Sequence, residues 1–86
     1  MSHDPHSPEA DHDAQMREKL ARMSGQIAGF FKNLPTEDAA EETARHINLY
    51  WSRSMRRDLG RMFTAQSPQL HEVLRHAWGK IHFPGE

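Results

Sequence analysis

The chain has 86 residues, 36% of them hydrophobic, and its 11 basic and 12 acidic side chains give a net charge of −1. A chain this short buries only about 60% of the surface that its unfolded form exposes, which argues against a deep catalytic cleft. The near-neutral charge provides no field that would collect nucleic acid or anionic lipid. Because the sequence contains no cysteine, it offers neither a disulfide framework nor thiolate ligands for a metal cluster.

Residues 1–13 have the composition of a disordered tail, because no large apolar residue follows the initiator methionine. Such a segment lacks the fixed geometry and supporting hydrogen bonds of a metal site, so we interpret its ligand-type residues as solvated. These residues are His3, Asp4, His6, Asp11, His12 and Asp13. We expect a single helical domain over residues 14–83.

No apolar run approaches the roughly 18 residues of a membrane span, and the N-terminal region has no apolar signal segment. Together with the absence of cysteine, this favours a cytoplasmic protein.

The first helix is predicted to run to Leu34, with Asp13 as its N-cap and Pro35 ending it. Seven apolar residues fall within an arc of about 100° at 100° per residue, which predicts the buried face. They are Met16, Leu20, Met23, Ile27, Phe30, Phe31 and Leu34.

The opposite side of this helix carries the small residues Ala21, Gly25, Ala28 and Gly29. Glycine inside a helix costs about 1 kcal/mol relative to alanine, so two glycines on a face that meets only water do not serve stability. One explanation is that a partner's backbone approaches this face closely, and the other is neutral sequence drift. Leu49, on the far side of its helix from the predicted core, suggests a second covered surface in the same way.

Three further helices are predicted, each with one apolar stripe. Thr36 is expected to cap the second helix, either Ser52 or Ser54 the third, and Ser67 the fourth, with Pro68 at its first position. The predicted inner residues are Ala40, Thr43, Ala44, Ile47 and Trp51, with Tyr50 at the edge; Met55, Leu59, Met62 and Phe63; and Leu70, Val73, Leu74, Ala77, Trp78 and Ile81. No stretch has the period of a strand, so we predict an all-α bundle of three to four short helices.

None of the helical histidines His46, His71 and His76 has a histidine or carboxylate four residues later, as a metal or acid–base pair on one helix face would require. A boundary histidine bonded to a neighbouring backbone is the favoured interpretation. The adjacent Glu41 and Glu42 point about 100° apart, and no glycine-rich phosphate loop is present. We therefore predict no catalytic, cofactor-binding or metal-binding residues in this chain.

The third helix presents a basic ridge of Arg53, Arg57 and Arg61, with Arg56 beside it. Three uses remain open. The ridge could pair with the acidic second helix, contact an acidic patch on a protein partner, or contact phosphate. The last is the least favoured, because the chain as a whole is not basic.

Two segments carry a family resemblance: KLARMSGQIAGFF over residues 19–31, and HINLYW over residues 46–51 followed by Met55-Arg56. They resemble the delta subunit of cytoplasmic NAD-dependent formate dehydrogenase, and the resemblance covers Leu20 to Ile81. The family commonly has Asp-Pro after the tryptophan, whereas this chain has Ser52-Arg53. Serine still serves as a helix cap.

The resemblance implies a non-catalytic accessory subunit of a complex that oxidises formate to CO2 and reduces NAD. It also implies an alpha subunit with a molybdenum or tungsten bis-pterin guanine dinucleotide and iron–sulfur clusters, and beta and gamma subunits carrying FMN and the NAD site. The residues predicted to contact the partner are Arg22, Gly25, Gln26, Gly29, His46, Asn48, Leu49, Trp51, Met55 and Arg56. The alternatives are a transient chaperone for cofactor insertion into the alpha subunit and an unrelated helical DNA-binding protein.

Overall fold

The computed structural model describes the backbone of residues 8–85 and the side chains of residues 12–85. Its elements are α1 (Pro8–Phe30), α2 (Thr36–Tyr50), α3 (Arg53–Met62) and α4 (Glu72–Ala77), which a 3₁₀ turn (Trp78–Lys80) extends. No strand occurs between residues 8 and 85, so the predicted all-α class is confirmed. None of these helices is both long enough and apolar enough to cross a membrane.

The first helix begins earlier than predicted. It starts at Pro8, so the prediction of Asp13 as its N-cap is wrong. Proline suits a first helical turn, because it lacks the N–H group that would have no partner there. Residues 1–7 of the predicted tail, including His3, Asp4 and His6, lie outside the described residues.

The core is built mainly where α2 packs on α4. The predicted inner face of α2 is confirmed: its five predicted residues are buried, together with Ala39. From α4, Leu74 and Ala77 are completely buried. The predicted cap is one residue off, because Thr36 is the first helical residue and Pro35 precedes it without a side-chain cap bond.

The first helix is rotated about its axis relative to the prediction. Leu20 is buried as expected, but Ser24 and Ala28 are fully buried as well. The Ser24 hydroxyl donates to the Leu20 carbonyl oxygen at 2.7 Å, so burying this hydroxyl leaves no unpaired donor.

This rotation brings Phe30 to the surface. Leu34 lies beyond the helix, because α1 ends at Phe30 and the prediction that it runs to Leu34 is wrong. Phe30 is 80% exposed and Leu34 is 42% exposed, so the prediction that both are buried is wrong. Ala28 was predicted on the outer face and is at 0% exposure, so that prediction is wrong too.

The third helix begins as predicted. Ser52 is its N-cap, and its hydroxyl accepts from the Met55 backbone N–H at 3.1 Å. Leu59 and Phe63 are buried, and the Arg17 guanidinium of α1 lies 4.9 Å from the centroid of the Phe63 ring. The principal packing partner of α3 is therefore α1. Pairing of its arginine ridge with the acidic α2 does not match this arrangement.

The fourth helix begins later than predicted, so Ser67 as its cap and Pro68 as its first residue are wrong. The Ser67 hydroxyl instead accepts from the Thr64 backbone N–H at 2.9 Å, which closes a turn before the helix. His71 is the cap, and its Nδ1 accepts from the Val73 backbone N–H at 3.1 Å. His71 is thus a boundary histidine bonded to a neighbouring backbone.

Candidate functional site

An open apolar groove of about 510 Å³ lies along the junction of α1 and α2. Its walls are the C-terminal half of α1 with the residue after it, and the end of α2 with the residue after it. Within residues 8–85, neither α3 nor α4 contributes to the lining. The eight lining residues are Met23, Gln26, Ile27, Phe30, Phe31, His46, Tyr50 and Trp51.

Two of the four phenylalanine, tyrosine and tryptophan rings that line the groove are largely exposed. Phe30 is 80% exposed and Tyr50 is 72% exposed. The Phe30 and Phe31 rings meet edge to face with centroids 5.0 Å apart, and the His46 and Tyr50 rings lie 4.8 Å apart. Contiguous exposed apolar surface of this kind is typical of an interaction site.

The groove offers little chemistry of its own. Its side-chain polar groups are the Gln26 amide, the His46 imidazole, the Tyr50 hydroxyl and the Trp51 indole N–H, and its lining contains no carboxylate, serine or lysine. Elsewhere among the described residues, no group of three or more histidines or carboxylates is arranged to hold a metal ion. The arrangement therefore suits packing against another surface better than it suits a reaction.

Three of the ten residues predicted to contact a partner line this groove, and a fourth lies beside it on α1. Gln26, His46 and Trp51 line the groove, and the exposed Arg22 lies one helical turn before Gln26. Trp51 is only 7% exposed, so it belongs to the core as well as to the groove wall.

Gly25 and Gly29 lie outside the groove. A Cβ atom built at either position would meet no atom within 4 Å, so neither glycine is required by the packing of this chain. That a partner's backbone approaches them stays a prediction.

Leu49 and Met55 also lie elsewhere. Leu49 is 64% exposed and lines a separate depression with Arg45 and Lys80. Met55 is partly buried and packs against the core. Contact with a partner stays a prediction for both residues.

Asn48 and Arg56 hold the C-terminal segment of the chain itself. The Asn48 amide nitrogen donates to the Lys80 carbonyl at 3.1 Å, and its oxygen accepts from the His82 N–H at 2.8 Å. Arg56 donates to the carbonyl oxygens of Trp51 and His82. Both side chains thus have a structural role, and a contact with a partner remains a prediction for each.

Sequence reasoning assigned most of the groove to the core. Met23, Ile27, Phe30 and Phe31 were placed on the buried face of α1, and Tyr50 at the edge of α2. The available signal was that α1 carries two arcs fit for contact, one of large apolar residues and one of small residues. The buried face lies between the two arcs, at Leu20, Ser24 and Ala28. The prediction of burial was therefore wrong for Phe30, whereas Met23, Ile27 and Phe31 are partly buried and pack against the core.

Comparison with known proteins identifies the family. Residues 19–78 match the family described as NADH-dependent formate dehydrogenase delta subunit FdsD. The chain belongs to this family. All eight groove residues of this delta subunit lie inside the matched stretch, as do all ten residues predicted to contact a partner. No curated protein and no solved structure matches the chain.

Proposed function

We propose that this delta subunit is a non-catalytic accessory subunit that docks on the catalytic alpha subunit of a cytoplasmic formate dehydrogenase and supports assembly or stability of the active enzyme. Family membership connects the chain to a formate dehydrogenase complex. The beta and gamma subunits are reached through the alpha subunit.

The observation that carries this proposal is the α1–α2 groove. A free-standing domain would gain by burying Phe30 and Tyr50, since each large apolar side chain is worth about 1.5–3 kcal/mol when fully buried. This chain instead leaves both of these rings largely exposed and buries Leu20, Ser24 and Ala28 on α1. A partner that covers Phe30 and Tyr50 would explain why the chain leaves these side chains exposed.

The redox chemistry belongs to the partner subunits in this proposal. Formate gives up a hydride equivalent to become CO2, and NAD takes it up to become NADH. The molybdenum or tungsten centre, the iron–sulfur clusters and FMN that would carry the electrons are expected on the other subunits. The delta subunit contributes a binding surface, through which it positions and stabilises its partner.

The test is copurification of tagged delta subunit with the complex from its native cell. We expect the wild-type chain to stay with the alpha subunit in constant stoichiometry through size exclusion. We expect Phe30→Asp/Tyr50→Asp to reduce the recovered complex at least tenfold, because buried aromatic anchors dominate interface energy. Both positions are exposed in this chain, so the double variant should fold, which circular dichroism checks.

A Gly25→Leu/Gly29→Leu variant is the matched comparison, because it fills open space on another face of α1. It should copurify normally if the groove is the docking site. If the glycine variant no longer copurifies with the complex while Phe30→Asp/Tyr50→Asp still does, the interface is the small-residue face of α1 and not the groove. If the wild-type chain is absent from the mature active oligomer, it is a transient chaperone and not a subunit.

A further inference from the structure

We propose that the groove receives an amphipathic helix of the alpha subunit whose apolar stripe is flanked by carboxylates. This inference rests on the proposed function and specifies the chemistry of the contact. The groove lies between two helices, and such grooves take a third helix by interdigitating side chains at i, i+3 or i+4 and i+7.

The floor of the groove requires an apolar stripe. Six of its eight lining residues are aliphatic, thioether or aromatic, namely Met23, Ile27, Phe30, Phe31, Tyr50 and Trp51. Gln26 and His46 can each hydrogen-bond a polar group at the edge of that stripe.

The groove lining contains no acid, and the α1 acid nearest to it in sequence is the exposed Glu18, one helical turn before Arg22. Residues 19–36 contain no aspartate or glutamate and three basic residues, and residues 43–57 contain none and four basic residues. Lys19 and Arg22 are exposed and precede Met23 and Gln26 by one helical turn, so they extend the α1 wall as a basic rim. The acid of α2 nearest in sequence to the groove lining is Glu42, one turn before His46. A docking helix with carboxylates beside Lys19 and Arg22 matches this charge distribution.

Two other occupants fit less well. The groove lining of a second copy contains no carboxylate to place beside Lys19 and Arg22, so it lacks the complementary charge. The chain's own residues 1–13 are acidic, but they contain no large apolar residue after Met1 to fill the groove. The occupant therefore has to be another protein.

Carbodiimide cross-linking of the assembled complex locates the contact. The reagent joins a lysine amine to a carboxylate as an amide, and the water lost is taken up as the urea of the reagent. The chain has three lysines, Lys19, Lys32 and Lys80, which allows single-lysine variants. Lys32→Arg/Lys80→Arg retains only the rim lysine, and Lys19→Arg/Lys32→Arg retains only Lys80, beside the separate Leu49 depression.

We expect the Lys19-only chain to link to an aspartate or glutamate of an apolar-striped segment of the alpha subunit, identified by peptide mapping. The Lys80-only chain should give no such link. Linking through Lys80 alone would overturn the proposal, because the docking face would then be the Leu49 side of α2.

Charge reversal supplies a second measurement, made by binding to complex purified from cells that lack the delta subunit. Lys19→Glu/Arg22→Glu should weaken binding about tenfold at low ionic strength, with the difference shrinking as salt screens the rim. Arg75→Glu/Lys80→Glu, the same number of reversals at other exposed positions, should bind like wild type.

The outcomes separate the two proposals. If wild-type chain does not bind the complex at all, the proposed function fails. Suppose that Phe30→Asp/Tyr50→Asp abolishes binding, while Lys19→Glu/Arg22→Glu binds as well as its control Arg75→Glu/Lys80→Glu. The groove is then the docking site, but its occupant is not a helix flanked by carboxylates. If light scattering shows that the isolated chain is a dimer that the Phe30 and Tyr50 substitutions dissociate, the occupant is a second copy.

Discussion

The two helix contacts of α2, with α4 and with α1, differ in how far their side chains are buried. Where α2 meets α4, the side chains of Ile47 and Leu74 have no exposed surface. Where α2 meets α1, Phe30 and Tyr50 project into solvent beside a groove. The difference shows that the apolar residues form two sets, one closing the fold and one left available on its surface. Apolar character alone does not assign a residue to either set.

The largest expected effect tests this division directly. Leu74→Ala should lower the free energy of unfolding by about 2–5 kcal/mol, because it leaves a cavity among α4, α2 and their neighbours. Phe30→Ala removes a larger side chain, but it should change the free energy of unfolding by no more than about 0.5 kcal/mol, because the Phe30 ring is exposed. Urea unfolding followed by circular dichroism measures both. Equal losses would mean that the groove side belongs to the folding core.

The architecture was largely readable from the sequence, because hydrophobic periodicity reports helix positions directly. The inner face of α2 was predicted correctly, and Ser52 was one of the two caps predicted for α3. The start of α4 was not predicted correctly, because Ser67-Pro68 is an ordinary helix-start signal that a turn uses equally well. Which signal is used depends on the following residues, and here His71 provides a competing cap.

The groove could be predicted only in part, because helix rotation depends on the fit between two surfaces. Ranking residues by hydrophobicity placed the aromatic arc of α1 inside. The structure instead centres the buried face of α1 on Leu20, Ser24 and Ala28, with Met23, Ile27 and Phe31 partly buried beside it. A partner covering a second face of α1 was predicted at the small-residue side, and for Gly25 and Gly29 this stays a prediction. Only the three-dimensional packing brings Gln26, His46 and Trp51 into one groove with Phe30.

The next effect concerns a residue predicted at the interface that the structure places on the closed side. Asn48→Ala removes two hydrogen bonds to the C-terminal segment, and should lower the free energy of unfolding by about 1–2 kcal/mol. The amide of His82 should lose its protection from hydrogen exchange, while copurification with formate dehydrogenase stays normal. Loss of copurification with unchanged exchange at His82 would return Asn48 to the interface.

The smallest effect compares two helical glycines that belong to neither apolar set. Gly25→Ala should raise the free energy of unfolding by about 1 kcal/mol, because alanine is the better helix former and nothing occupies the space of its Cβ. At Gly60 the same Cβ would lie 2.8 Å from Cδ1 of the Phe83 ring, which also packs on Trp78.

The Gly60→Ala substitution must therefore displace a ring that anchors the C-terminal segment, and we expect its helix-propensity gain to be cancelled or reversed. Thermal unfolding of both variants in parallel measures the difference. A stabilised Gly60→Ala protein would mean that Phe83 rests only loosely on α3. A stabilised Gly25→Ala protein would show that this glycine is not retained for the fold, which leaves contact with a partner or neutral drift as its explanation.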